Sequence, residues 1–164
     1  MTTANRTALF QSRAFRTVKR VGTTLDLTPA SVGNGASLFT VTGVVEVSQL
    51  FGVITVVIGA GLAVPRLQFL NSAAGLVALC AAAASIATLG VDTILTWTGL
   101  AAGLLTPSTV IGAGGGSVAE VFTGTLKLSK GSVRLTNAVS AVSGKIDWYC
   151  RYIPVSDGAL VVPA

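Results

Sequence analysis

Alternating apolar and polar positions form the clearest pattern along the chain, and this pattern predicts β-strands. In KIDWYCRYI, residues 145–153, every second side chain is apolar or aromatic: Ile146, Trp148, Cys150 and Tyr152. RLQFL, residues 66–70, shows the same alternation around Leu67 and Phe69. Successive side chains of a strand point to opposite faces, so such a strand buries one face and exposes the other. We therefore predict that Trp148 faces inward and belongs to a core.

Short Val- and Thr-rich segments bounded by glycine predict further strands. These segments are SLFTVTG, FGVITVVIG, ILTWTG and VFTGTLKLSKGSVRL. In the last one, SKGS, residues 129–132, separates two apolar pairs and predicts a hairpin turn, with Gly131 available for a positive φ. We expect about seven to nine strands in a single mainly β domain, residues 36–164, built as a β-sandwich or jelly roll.

The stretch ITVVIGAGLAV, residues 54–64, resembles the strand and Gly-x-Gly turn of a dinucleotide-binding fold. Such a site also needs a third glycine, a helix behind it and an acidic residue about 20 positions further on. Here the third glycine position is Val64, Pro65 follows it, and no acid occurs before Asp92. The sequence therefore predicts a bend between two strands at Gly61, without a bound nucleotide.

The alanine-rich stretch GLVALCAAAASIATLG, residues 75–90, carries no charge and leaves two structures open. Alanine favours a helix, whereas the flanking apolar residues also suit a buried strand. A bilayer span needs about 20 predominantly apolar residues, and the Ala, Gly, Ser and Thr here supply little transfer energy. We expect a short helix or an alanine-rich buried strand. A small integral membrane protein stays an alternative, which would require helices both here and around Ile54.

Net positive charge is concentrated at the N-terminal end of the chain. The formal net charge is +5, and five cations precede the first acid, Asp26. The turn-rich run LDLTPASVGNG, residues 25–35, then reads as a junction. We therefore assign residues 1–35 to a basic N-terminal arm and linker, extended or partly helical, outside the folded body.

The arm is the predicted partner-binding region. If residues 5–21 were helical, their apolar side chains would share one face and most of their arginines the other. Cations without acids become favourable beside an acidic surface, whereas the alternative is a solvated tail. Because the excess charge is confined to this stretch, the sequence favours neither nucleic acid nor a membrane surface as the partner. The candidate partner-binding residues are Arg6, Phe10, Arg13, Arg16, Val18, Lys19 and Arg20.

Catalytic chemistry finds little support in the composition. The chain has no histidine, so Ser-His and Cys-His nucleophile pairs and histidine metal sites are impossible. GAGGGS, residues 112–117, lacks the Gly-Lys-Ser/Thr ending of a phosphate-binding loop and predicts a flexible or turn-forming loop. Cys80 and Cys150 lie in apolar surroundings and predict buried free thiols. We expect no enzyme activity, cofactor, metal or small-molecule substrate.

The C-terminal third carries a resemblance to a known group of proteins. GKIDWYCRYIPVSDGALVVPA, residues 144–164, resembles the ending of small structural proteins encoded among the head genes of tailed bacteriophages. LFTVTGVVEVSQLFGVITVVIGAG looks like the first long hairpin of that group, and ALCAAAASIATLGVDTILTWTG looks like its middle. The resemblance spans about residues 36–164 and leaves the basic arm outside.

The resemblance implies a virion structural protein. It implies a capsid decoration or cement protein that binds and stabilises the lattice of the major capsid protein, on the capsid surface of particles assembled in the host cytoplasm. A tail, baseplate or head-fibre protein is the alternative within the same class. Lattice symmetry in that role then implies trimers or larger rings at threefold or quasi-threefold points, and we expect a homotrimer.

Overall fold

The computed structural model describes residues 14–27, 35–61, 65–83, 85–97, 106–109, 126–139, 141 and 143–164. Over these ranges the chain forms eleven β-strands and one short 3-10 helix, Thr24–Leu27. The strands are β1 (Arg16–Arg20), β2 (Ala36–Thr42), β3 (Val45–Val56), β4 (Arg66–Asn71), β5 (Gly75–Ala78), β6 (Thr93–Thr96), β7 (Thr106–Thr109), β8 (Leu126–Leu128), β9 (Gly131–Thr136), β10 (Lys145–Pro154) and β11 (Leu160–Pro163).

The strands form two antiparallel sheets. The larger sheet has the order β1-β10-β3-β6-β7, and β8 also pairs with β3. The smaller sheet has the order β11-β2-β9-β4-β5. The predicted mainly β, sandwich-like fold is therefore confirmed.

One hydrophobic core joins the inner faces of both sheets. Trp148 and Leu50 contribute from the larger sheet, and Phe39 and Leu67 from the smaller sheet. Trp148 is fully buried, as its alternating neighbours predict. Burial of a side chain of this size removes much apolar area from water, which is the main favourable term in folding.

The Gly-x-Gly stretch is a bend between strands, as predicted. β3 ends at Val56, the backbone turns at Ala60 and Gly61, and β4 begins at Arg66. β3 and β4 belong to different sheets, so the bend carries the chain across the sandwich. A strand therefore stands where a dinucleotide-binding fold needs its helix.

The two predicted hairpins are wrong. β8 and β9 flank SKGS, but β8 pairs with β3 and β9 pairs with β2 and β4. β2 and β3, which resemble a first long hairpin, also lie in different sheets. Two alternating strands on either side of a turn can pair with each other or face each other across a core. The alternation is the same in both cases, so the sequence pattern alone does not separate them.

The alanine-rich stretch also differs from both predicted structures. It begins with β5, whose four residues are all exposed, and continues without regular structure through residues 79–83 and 85–90. Its apolar side chains enter the core singly, through Leu79, Cys80, Ala83 and Ile86. The predicted helix and the predicted buried strand are therefore both wrong.

Among the described residues, no helix is long and apolar enough to span a bilayer. The membrane alternative required a helix around Ile54, which instead lies within β3. That part of the alternative is wrong.

The predicted boundary at residue 36 also needs correction. β1 is a strand of the larger sheet, and Leu27 of the following 3-10 helix is part of the core. Residues 16–27 therefore belong to the folded body, and residues 16–20 are not helical. The strand that pairs with this segment, β10, lies far away in the sequence. Local sequence patterns therefore do not reveal the contact. Residues 1–13 and the GAGGGS loop lie outside the described residues.

Candidate docking surface

β1 is the edge strand of the larger sheet, and its register with β10 decides where its side chains point. Thr17 lies opposite Arg151, and Lys19 lies opposite Tyr149. Residues paired directly across two antiparallel strands lie on the same face of the sheet. These four side chains therefore share the outer face, away from the core.

The alternate residues of β1 point toward the core. Val18 lies opposite Cys150, and Arg20 lies opposite Trp148. Cys150 and Trp148 are both buried, and Val18 packs against the core beside them. Arg20 is buried as well, so this inward position carries a charge that requires a partner.

Asp26 is the partner of Arg20. Nη1 and Nη2 of Arg20 donate to the two carboxylate oxygens of Asp26 at 2.7 and 2.8 Å. The Thr23 amide donates to Asp26 Oδ2 at 2.9 Å, and Arg20 Nε donates to the Ala164 carbonyl oxygen at 3.4 Å. Burial alone would raise the pKa of Asp26, but the hydrogen bonds from Arg20 and Thr23 outweigh it and hold that pKa below its ordinary value. The pair ties β1 to the 3-10 helix.

Asp147 fastens the same segment to β10. Its carboxylate accepts a hydrogen bond from the Gly22 amide at 2.9 Å and forms an ion pair with Lys19 Nζ at 2.7 Å. Burial would raise the pKa of Asp147, but Lys19 and the Gly22 amide lower it below its ordinary value. The backbone approach requires glycine, because a Cβ at residue 22 would overlap the backbone of Ile146. Residues 19–22 are thus held at a fixed place on the body.

Aromatic rings and cations lie together on the outer face beside this attachment. The rings of Phe51 and Tyr149 stack at a centroid distance of 4.9 Å and an interplanar angle of 7°. Lys19 Nζ lies 5.4 Å from the Tyr149 ring centroid, and Arg151 Cζ lies 4.2 Å from the Phe15 ring centroid. Both distances suit cation–π attraction. We call these five residues the basic–aromatic face.

Positive charge exceeds negative charge here. The described residues form two ion pairs, the Lys19 and Arg20 pairs given above, and neither includes Arg16 or Arg151. Arg151 is exposed on the outer face, whereas Arg16, which lies opposite Tyr152, is exposed at the start of β1 on the side of Val18 and Arg20. Both charges are therefore available to an acidic partner, and the rings beside Arg151 supply apolar contact area.

The structure separates the predicted partner-binding residues into three groups. Arg6, Phe10 and Arg13 lie outside the described residues. Lys19 is exposed on β1 within the basic–aromatic face, and Arg16 is exposed at the start of β1 on the side of Val18 and Arg20. The remaining two point toward the body, so their prediction needs correction: Val18 packs on the core, and Arg20 is buried against Asp26. Because β1 is a strand of a sheet, one of its two faces points toward the core. The interpretation of residues 5–21 as a helix did not include such an inward face for the cations.

Four residues of this surface were not among the predicted site residues: Phe15, Phe51, Tyr149 and Arg151. The alternation in KIDWYCRYI did place Tyr149 and Arg151 on the outward face. An outward aromatic residue next to an outward arginine was therefore a signal in the sequence. The stacking of Phe51 on Tyr149 depends on the pairing of β3 with β10, which the sequence does not specify.

No group of three or more His, Cys, Asp or Glu side chains that could hold a metal ion occurs in the ranges described. Both cysteines are free and buried, as predicted. Burial raises the pKa of the Cys150 thiol to about 12 and also raises the pKa of Cys80. Both thiols are therefore poor nucleophiles at neutral pH.

Comparisons with protein-family models, with characterised proteins and with solved structures give no match for this chain. The resemblance to phage head proteins stays a prediction.

Proposed function

We propose that the protein is a virion structural protein of a tailed bacteriophage. In this proposal it is a decoration or cement protein that docks on the major capsid protein lattice through its basic–aromatic face and the basic residues before Ala14. Copies of the chain occupy threefold positions of the lattice as homotrimers. The protein then acts at the capsid surface and carries out no chemical reaction.

The observation that carries the proposal is the unpaired positive charge beside a rigidly held aromatic pair. Arg151 has no acidic partner among the described residues, and Phe51 and Tyr149 present stacked rings on the same face of the sheet. Arg16 is a second cation without an acidic partner in the described ranges, at the start of the adjoining strand β1. Interfaces favour arginine and aromatic side chains at their centres. An acidic protein surface would satisfy the charges and cover the rings.

Attachment of β1 adds a mechanical argument. The ion pairs of Arg20 and Lys19 fix residues 16–22 on the body, so tension on the basic residues before Ala14 is transmitted directly to the larger sheet. A cement protein needs such a rigid link between the segment that grips the lattice and its own body. A tail separated from the body by a flexible linker would transmit less force.

The direct experiment measures binding to purified empty capsids of the virus that encodes the chain. The variant Arg16→Ser/Arg151→Ser removes Arg151 from the basic–aromatic face and Arg16 from the start of the adjoining strand β1. The matched control Arg66→Ser/Lys130→Ser removes the same charge from exposed positions on the smaller sheet and at the turn before β9. We expect the first variant to bind more weakly and the control to bind like the original protein, with a difference that shrinks at high salt. Equal binding by both variants would contradict the proposed docking surface.

Two further measurements test the class of partner. Imaging of intact particles should place the sandwich on the shell; a position confined to the tail or fibre would contradict the decoration role. Single-stranded nucleic acid also binds cationic surfaces with stacked rings. The proposal would be contradicted if the protein bound a labelled oligonucleotide more tightly than it binds capsids at physiological salt, and if the Arg16→Ser/Arg151→Ser variant lost that oligonucleotide binding.

A further inference from the structure

In the part of the chain that the structure describes, the edge strand β5 lacks the features with which proteins block the edges of their sheets. Natural edges carry charges, prolines, bulges or covering segments that prevent pairing with another chain. The other edges of the described sheets carry such residues: the cations of β1, Pro107 in β7, Lys127 in β8 and Pro163 in β11. β5 has the sequence Gly-Leu-Val-Ala, and all four residues are exposed.

The hydrogen-bond pattern shows which backbone groups of β5 face outward. The Leu79 amide donates to the Leu67 carbonyl at 2.9 Å, and pairing of Phe69 with Val77 continues the same register. Directly opposed residues of an antiparallel pair alternate between bonded and non-bonded positions. Residues 77 and 75 therefore bond to β4, whereas the N–H and C=O groups of Leu76 and Ala78 point away from it.

A second observation fixes the same alternation from the other side of β4. The Ser72 amide donates to the Lys130 carbonyl at 3.1 Å, in register with the pairing of β4 and β9. Even-numbered residues of β4 therefore bond to β9, and odd-numbered residues bond to β5. Among the described residues, no hydrogen-bond partner is present for the outward groups of Leu76 and Ala78.

The hairpin that carries β5 is held firmly at its tip. Asn71 Oδ1 accepts hydrogen bonds from the amides of Ala73 and Ala74, and Asn71 Nδ2 donates to Ser129 Oγ at 2.7 Å. Ser72 Oγ also donates to the Lys130 carbonyl. These contacts fix the outward groups of β5 in a strand conformation, which lowers the entropy lost when another strand adds to this edge.

We propose that β5 pairs with β5 of a second copy of this chain, so that the smaller sheets of two molecules join into one continuous antiparallel sheet. In the two-fold arrangement centred on Val77, Leu76 lies opposite Ala78 of the other copy, and each such pair exchanges both N–H···O bonds. Val77 then lies opposite Val77 of the other copy in a non-bonded position, where side chains approach most closely.

Charge and exposure identify the second copy as the occupant. β5 contains no ionisable side chain, so self-pairing brings no like charges together. Self-pairing of β1 would instead oppose its arginines and lysine. Leu76 and Val77 are 48% and 49% exposed, and the two-fold arrangement covers both with apolar side chains of the same kind. The inference concerns the isolated chain and does not depend on capsid binding.

The first test uses the full chain in sedimentation experiments over a range of concentrations. Leu76→Lys places a charge at the proposed contact, and Leu160→Lys places one at an apolar residue of similar exposure, 41%, on the opposite edge of the same sheet. We expect Leu76→Lys to lower the weight-average mass about twofold at concentrations where the original protein is associated, and Leu160→Lys to leave it unchanged. An equal mass for all three chains would overturn the proposal.

Cysteine cross-linking tests the register. Val77→Cys brings two thiols together on the two-fold axis, whereas Val162→Cys, at a residue of comparable exposure on β11, does not. With copper phenanthroline and oxygen as the oxidant, we expect a disulfide-linked dimer from Val77→Cys at protein concentrations where Val162→Cys stays uncross-linked. Cross-linking of both variants at the same rate, or of neither, would overturn the proposed register. Circular dichroism of each variant checks that the β fold is retained.

Discussion

β1 and β5 are both edge strands, but their contacts with the rest of the molecule differ in kind. β1 is held by its backbone ladder to β10 and in addition by side-chain ion pairs, a bidentate Arg20–Asp26 contact and a Lys19–Asp147 contact. β5 is held by its backbone ladder to β4 and by hydrogen bonds at the hairpin tip. β1 therefore presents cations to its surroundings, whereas β5 presents apolar side chains and backbone groups that have no hydrogen-bond partner in the described ranges.

This difference indicates that the chemistry of an edge decides which partner can use it. A cationic edge repels a second copy of itself and attracts an acidic surface. A neutral edge has no such preference for charge and accepts a strand of like composition. We therefore expect the two edges to respond to different substitutions, conditions and partners.

The largest expected effect is at the attachment of β1. Asp26→Ala leaves Arg20 buried without its carboxylate and should lower the free energy of unfolding by about 3–5 kcal/mol. Leu76→Ala, at the exposed edge of β5, should change it by less than about 1 kcal/mol. Urea denaturation measures both, with Asp157→Ala as the control for loss of an exposed carboxylate. A small effect of Asp26→Ala would show that the ion pair does not fasten β1.

Glycine substitutions should destabilise the protein for different reasons at the two edges, by steric overlap at Gly22 and by backbone conformation at Gly75. Gly22→Ala forces a Cβ into the backbone of Ile146 and should cost about 1–3 kcal/mol. Gly75 has a φ of 81° and open space around its Cβ position, so its cost is conformational. Asparagine tolerates this conformation better than alanine. Denaturation midpoints should therefore recover in Gly75→Asn relative to Gly75→Ala, but not in Gly22→Asn relative to Gly22→Ala; recovery at both positions would contradict the steric role of Gly22.

Acid should weaken the attachment of β1. The folded-state pKa values of Asp26 and Asp147 lie below their ordinary value of 3.8, so the unfolded chain binds protons first as pH falls. Their contribution to stability is complete above that value and is lost as pH falls through the lower folded-state pKa. Asp147→Asn should make the acid limb of the stability curve shallower.

Association through β5 involves no titratable side chain and should stay constant between about pH 5 and 8. Sedimentation at several pH values within this window measures it. A mass that changes there, while the fold is retained, would show that a charged group contributes to the contact between copies.

The smallest expected effects concern the thiols. Cys80 and Cys150 should react slowly with a thiol reagent at neutral pH and rapidly after unfolding, because both are buried and their pKa values are raised. Raised thiol pKa values stabilise the fold below the ordinary value of 9.0, and Cys150 loses this contribution as pH rises toward about 12. Fast labelling of the folded protein would contradict the burial of both side chains.

Local patterns predict much of this fold. The period of two in KIDWYCRYI places Trp148 and Cys150 inward and Tyr149 and Arg151 outward, because a strand has only two faces. The same alternation does not specify the neighbour of each strand. SKGS and the junction of β2 with β3 look like hairpins for that reason, although the chain crosses between sheets at both places.

Long-range polar contacts account for most of what the sequence did not predict at the docking surface. Asp147 occupies an outward position of an alternating strand, yet it is buried because Lys19 and Gly22 cover it. Arg20 reads as one of several solvent-exposed cations until Asp26 is placed beside it by the 3-10 helix. In both cases the partner determines burial, and the partner is set by the tertiary structure.

The central claim is that the two edges serve different partners, and one comparison tests it most directly. Sedimentation of the original protein, Arg16→Ser/Arg151→Ser and Leu76→Lys is measured for each chain alone and with purified empty capsids. The account predicts that the arginine variant loses capsid binding and retains self-association through β5, whereas Leu76→Lys loses self-association through β5 and still binds capsids. The account would be contradicted if both variants lost the same property, or if both variants kept capsid binding and self-association.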